Sequence, residues 1–164
     1  MTGGADWFSI ARPVLSLVAD LINAIDDQKS GRNSTADFFR SGSDLIDAVG
    51  QTHSALTTAT SRGGSLSPTR PAVENISGLW LNSEANIYAY HDDVSGLLIL
   101  RDGDYDFIGG AQPVEGFTQF VVTGQSADGI HLLWHGVAGP HDVLTTLWNW
   151  DTKDTIDVRF ARQR

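Results

Sequence analysis

The hydrophobic period of this chain changes once, near residue 76, from three-to-four to two. Eight short period-two runs follow, near 77–83, 86–91, 95–101, 105–111, 116–123, 129–137, 143–150 and 155–162. Turn residues bound each run, among them Asp92-Asp93, Asp102-Gly103-Asp104, Gln112-Pro113, Asp128-Gly129 and Gly139-Pro140. The connections are too short for crossover helices, so neighbouring strands are expected to pair antiparallel. Eight such strands with no helix between them predict a mainly β fold, an eight-stranded antiparallel up-and-down barrel. Closure removes the exposed edges of the sheet. A barrel of that size has an interior wide enough for one small ligand.

Before the break the pattern is helical. Trp7, Ile10, Val14, Leu17, Val18, Leu21, Ile22 and Ile25 recur at spacings of three and four. Pro13 suits a first helical turn, where its missing N–H costs nothing. Asp26, Asp27, Lys29 and Gly31 end that pattern. A second helix is expected from about Thr35 to Ala59, with Ser34 as N-cap. Its stripe is Phe38, Phe39, Leu45, Ile46, Val49 and Leu56, and Gly42, Gly50 and a threonine run weaken it. Residues 61–75, rich in glycine, proline and serine, read as a linker. The expected organisation is a helical segment at 1–60, a linker at 61–75 and a ligand-binding barrel at 76–164.

Composition narrows the chemistry. The 164 residues suit one domain with one self-sufficient core. The absence of cysteine rules out disulfides, thiolate zinc sites and cysteine nucleophiles. Twenty acidic against eleven basic residues give a net charge of −9 and no basic stripe, so no nucleic-acid partner is expected. No apolar run approaches the roughly 18 residues of a membrane span, so no membrane partner is expected. The opening MTGGADWFSIARP has neither the basic stretch nor the cleavage site of a secretory signal, and a cytoplasmic location is expected. Arginine outnumbers lysine nine to two, which hints at a GC-rich bacterial genome.

Reactive constellations are scarce. There is no G-x-S-x-G, no H-E-x-x-H and no phosphate-binding loop. His131 and His135 share one face of one strand, about 13 Å apart at roughly 3.3 Å per residue, too far to share an ion. His91 and His141 sit in acidic turns, and Asp104 with Asp106 reads as a solvated hairpin end. Neither a metal nor a cofactor is expected.

Four short motifs carry a resemblance. Gly78-Leu79-Trp80-Leu81-Asn82 resembles the G-x-W-x-N opening of avidin-like barrels. Trp134-His135-Gly136 resembles their sixth-strand W-x-G, Thr146-Leu147-Trp148 their T-x-W, and Phe160-Ala161-Arg162 their closing F-T-R. The resemblance covers residues 76–164 and implies the same calycin-type barrel. It departs where biotin is held. Asn82 sits at the first ureido contact, but Asn86 replaces a serine, Asp102 a tyrosine, and Ile130 and Leu132 polar contacts of strand six. The tryptophan that a neighbouring subunit supplies has no counterpart. Several buried hydrogen bonds to one ligand would be missing, at about 1–3 kcal/mol each, so tight biotin binding is not expected.

The resemblance also implies which face points inward: Trp80, Asn82, Asn86, Tyr88, Tyr90, Leu98, Phe117, Gln119, Val121, Ile130, Leu132, Trp134, Thr146, Trp148 and Trp150. Such a lining suits a bulky, largely apolar, unsaturated molecule held by a few polar groups. A barrel with an N-terminal helical lid further resembles, in architecture, the spirotetramate- and spirotetronate-forming [4+2] cyclases of bacterial polyketide pathways. That implies an intramolecular cycloaddition of a linear polyketide, in antibiotic biosynthesis, by preorganisation alone. Gln119 with Tyr88 or Tyr90 is then the catalytic set, hydrogen bonding a substrate carbonyl. Trp80, Asn82, Asn86, Phe117, Leu132, Trp134, Thr146, Trp148 and Trp150 form the substrate-binding wall. Two other readings stay open: a non-catalytic avidin-like or lipocalin-like binder, and helices that serve as a handle for a homodimer. An amphipathic helix must bury its face over the barrel mouth, on the barrel's outside, or against another copy.

Overall fold

A computed structural model describes residues 3–29, 35–63, 76–92, 95–103, 105–114 and 116–163. Two helices, α1 (Gly3–Lys29) and α2 (Thr35–Gly63), precede eight strands. These are β1 (Gly78–Leu81), β2 (Asn86–His91), β3 (Leu97–Asp102), β4 (Tyr105–Val114), β5 (Phe117–Gln125), β6 (His131–Ala138), β7 (Asp142–Asn149) and β8 (Asp154–Gln163). All neighbours pair antiparallel in chain order, and β1 closes the barrel on β8. The expected fold is the observed one. Pro13 differs from expectation: α1 starts at Gly3, so the proline falls inside the helix, on an exposed position. The second helix runs past Ala59 to Gly63. Ser34, Asp93, Asp104 and residues 64–75 of the expected linker lie outside the described residues.

The barrel wall is buried on both sides, so the protein has two apolar layers. Inside lie Trp80, Ile87, Leu98, Leu100, Phe107, Phe120, Val122, Trp134, Val143 and Phe160, each 5 % exposed or less. Outside, Leu97, Ile99, Ile108, Val121 and Leu133 pack under Val14, Val18, Leu21 and Ile25 of α1 and Phe38, Leu45 and Val49 of α2. The helix pair therefore lies on the outer wall, over β4, β5 and β6, and this is where its apolar faces are buried. Burying a strand on both faces erases its alternation. That is the pattern of β3, Leu97-Leu98-Ile99-Leu100, all buried.

Two close approaches set the helices on the wall. A Cβ on Gly110 of β4 would stand 2.9 Å from Cδ2 of Leu15, so glycine lets α1 approach the sheet. Gly42 of α2 faces the ring of Trp150 in the same way. Around that second contact Phe38, Phe39, Trp148 and Trp150 form one aromatic cluster, with centroids 5.1–5.9 Å apart. Edge-to-face rings at these distances add stability beyond their buried area.

Candidate binding cleft

The inside of the barrel is packed and chemically closed. Trp80 and Phe120 stack at 5.5 Å, and Trp134 meets Phe107 at 5.4 Å and Phe160 at 5.8 Å. Each inward polar group described has a protein partner. Trp80 Nε1 donates to the Ile76 carbonyl at 3.2 Å. Trp134 Nε1 donates to Thr145 Oγ1 at 3.0 Å, and that hydroxyl donates onward to the Val158 carbonyl at 2.8 Å. His91 Nδ1 accepts from the Ile76 amide at 3.1 Å. Buried polar groups satisfied in this way stabilise a core and leave nothing to orient a ligand.

Most of the expected lining faces the other way. Trp80, Leu98, Leu132 and Trp134 do point inward. Tyr88 and Tyr90 lie on the outer face of β2, 51 % and 36 % exposed, with Asn86 beside them. Ile87 and Ala89 point inward in their place. Gln119 is on the outer wall, with its Nε2 3.4 Å from Asp26 of α1. Phe117 is half exposed at the end of the same face, and Val121 packs under the helices. Thr146 donates to Asp157 at 3.0 Å, outside. Trp148 and Trp150 belong to the aromatic cluster under α2. Asn82 closes the β1–β2 turn. Its Oδ1 accepts from Glu84 and Ala85, and its Nδ2 donates to the Arg159 carbonyl.

The inversion has a physical cause. The avidin-like resemblance put the tyrosines and tryptophans inside. Tyrosine hydroxyls need water or a partner, and on the outer face Tyr88 and Tyr90 are exposed to solvent. In β5 and β7 both faces carry bulky groups because the helices cover the outer wall, so alternation gave no direction.

Among the described residues, a cleft that holds several polar groups lies outside the barrel, between α2 and strands β4 to β6. It has a volume of about 560 Å³. Ile46, Val49, Gly50 and His53 of α2 form one side, and Tyr105, Asp106, Thr123, Gln125, Ser126 and His131 form the other. Arg101 Nε donates to Asp106 Oδ1 at 2.7 Å at its edge, and His53 Nε2 stands 4.0 Å from Asp106 Oδ2. The Asp106 hydrogen bond, opposed by burial, holds the Arg101 guanidinium above its ordinary value. Gln125 Nε2 lies 3.2 Å from His131 Nε2, and His131 Nδ1 lies 3.8 Å from Asp151. Ser126 Oγ accepts from the Ile130 amide at 3.2 Å. A Cβ on Gly50 would meet nothing within 4 Å, so the cleft is open above the helix.

Comparison with known proteins adds little. No family model and no curated protein matches the chain. Among solved structures, pallilysin of Treponema pallidum is similar at a TM-score of 0.35 and 11 % identity, over 70 % of this chain and 98 % of that one. A likeness that slight bears on neither site nor activity.

Sequence reasoning missed the cleft because its residues come from three places: a helix and two hairpin ends. His53 lay on a helix with no motif around it. Asp106 was read as part of a solvated hairpin end, and His131 was weighed only as a metal partner of His135. Their register across the sheet is what brings them to one cleft. Among the described residues no three of histidine, aspartate and glutamate come together as metal ligands, and no helix is long and apolar enough to cross a membrane.

Proposed function

We propose that this chain is a small-molecule-binding barrel that takes its ligand in the cleft between α2 and β4–β6, outside the calyx. One observation carries the reading: the interior is filled and hydrogen bonded, while the outer cleft has ligand-sized volume and several polar side chains turned toward one space. A volume of this order is typical of small-molecule sites, which set a few oriented polar groups on apolar walls. In this reading the helix pair is one wall of the site rather than a lid over the barrel mouth.

Cyclisation of a polyketide-type substrate finds no support in this geometry. That reading needs Gln119 and Tyr88 or Tyr90 around one interior substrate, and they stand on the outer wall. The reading of a non-catalytic barrel binder needs neither.

The test is a fragment screen read by amide shifts in the full chain, repeated in Gly50→Phe. The added ring would occupy the cleft from the helix side. Fragments should perturb His53, Gln125 and His131 in the parent and lose that effect in the variant. Fragments that instead shift the indole signals of Trp80 and Trp134 would return the site to the barrel interior and overturn the proposal.

A further inference from the structure

The first turns of α2 rest on a platform supplied by two strands. Trp148 of β7 lies 5.1 Å from Phe38 and 5.7 Å from Phe39 between ring centroids. His135 of β6 stands beside it, its ring 6.0 Å from that of Phe38 and at 82° to it. The two platform residues are joined: Trp148 Nε1 donates to His135 Nε2 at 2.9 Å. An indole N–H only donates, so Nε2 must present its lone pair. His135 is therefore neutral in this arrangement, with its ring proton on Nδ1.

A proton on Nε2 would set two N–H groups against each other across that 2.9 Å. The imidazole or the indole must then turn, and Phe38 leans on both. The surroundings of His135 are mixed. Beside it in the sheet stand Val121 of β5, which is apolar, and Thr146 of β7, whose hydroxyl donates to Asp157 of β8. Four residues back on β6 is His131, 3.8 Å from Asp151. On the helix side the charged groups are the Asp37–Arg40 pair of α2 and Asp26 of α1, which meets Gln119 of β5. Lys153 of the β7–β8 turn holds its ammonium 5.4 Å from the Phe39 centroid. Asp26, Asp37 and Asp157 thus each accept from a partner of their own.

We propose that His135 is an acid-sensitive catch for α2, and that its protonation in mildly acidic solution frees the Phe38–Phe39 end of the helix from the barrel wall. An unperturbed imidazole takes up its proton near about pH 6.5. The closed seam needs the neutral ring, whereas the open state binds the proton freely, so acid favours opening. The indole bond is fully present above that pH and is lost as pH falls through it. Opening uncovers part of the outer apolar wall, with Val121 and Leu133 on it. The catch works whether or not the cleft holds a ligand.

Amide hydrogen exchange of the full chain at about pH 7.5 and about pH 5 tests this, with rates expressed as protection factors to remove the intrinsic pH dependence. Protection from Phe38 to Val49 should fall about three- to tenfold in acid, the weight of one lost hydrogen bond. Barrel amides at Val122 and Trp134 should keep theirs. His135→Gln offers an uncharged acceptor in place of Nε2, so α2 of that variant should be equally protected at both pH values. The indole proton of Trp148 reads the catch in the parent alone, and its signal should shift with a midpoint between about pH 5 and about pH 7. Equal protection of α2 at both pH values, an indole signal that does not titrate, the same loss in His135→Gln, or the same loss throughout the barrel would overturn the catch.

Discussion

The indole of Trp150 occupies the space a side chain on Gly42 would need: a Cβ there would stand 2.5 Å from Cη2 and 2.6 Å from Cζ2. One residue further along α2, Ser43 Oγ accepts the indole N–H at 3.1 Å. The β7–β8 turn is thereby held to the helix by shape and by a hydrogen bond. Lys153, at a φ of 69°, holds its ammonium 4.2 Å from the Trp150 ring centroid.

Gly42→Ala and Gly50→Ala should therefore move stability in opposite directions. Both gain about 1 kcal/mol of helix propensity. Gly50→Ala meets nothing and should keep that gain. Gly42→Ala must displace Trp150, at an overpacking cost of about 1–3 kcal/mol, and should be neutral to destabilising. Urea midpoints of the two variants check this. A stabilised Gly42→Ala would mean that the ring does not rest on the helix.

Trp134→Ala should cost about 3–5 kcal/mol. It removes a ring packed between Phe107 and Phe160 and leaves Thr145 without its indole donor. Gln119→Ala should cost much less, about 0.5–1.5 kcal/mol, since it loses one long contact to Asp26. Thermal or chemical denaturation of the two variants side by side measures the difference.

A fragment beginning at Ile76 should not behave as a free-standing barrel. Without the helices it exposes Leu97, Ile99, Ile108, Val121 and Leu133 as one outer apolar surface. Exposed patches of this kind drive association. Size-exclusion chromatography should show oligomers, and a hydrophobic dye should bind. A monodisperse monomer would show that the outer wall does not need its cover.

The Arg101–Asp106 pair should respond little to alkali. The guanidinium is held above its ordinary value by the Asp106 hydrogen bond. A raised cation contributes fully below its unfolded pKa and loses that contribution only as pH climbs through the folded one. For arginine both lie well above the alkaline range of the test. Asp106→Asn should thus lower stability by about 0–1 kcal/mol, by the same amount at about pH 8 and about pH 10. Melting temperatures of parent and variant at the two values test this.

The barrel was legible in the sequence because its strands are short, its turns tight and its period constant. Trp80 and Trp134 were placed correctly, each within a short motif of the avidin-like resemblance. The lining was not legible at Tyr88, Gln119 and Trp148. For those positions the deciding fact is what covers the outer wall, and the helices that cover it lie far away in sequence. The cleft was hidden for the same reason: His53 and His131 are 78 positions apart (131 − 53) and meet only because α2 lies along the sheet.

Where the helices leave it uncovered, the outer wall of a filled barrel can vary. Side chains at 88, 101, 106, 125 and 131 share the outward parity, so changing them leaves the interior packing untouched. Surface chemistry and folding then draw on separate alphabets within the same strands. A combinatorial library confined to those positions should yield folded members at high frequency.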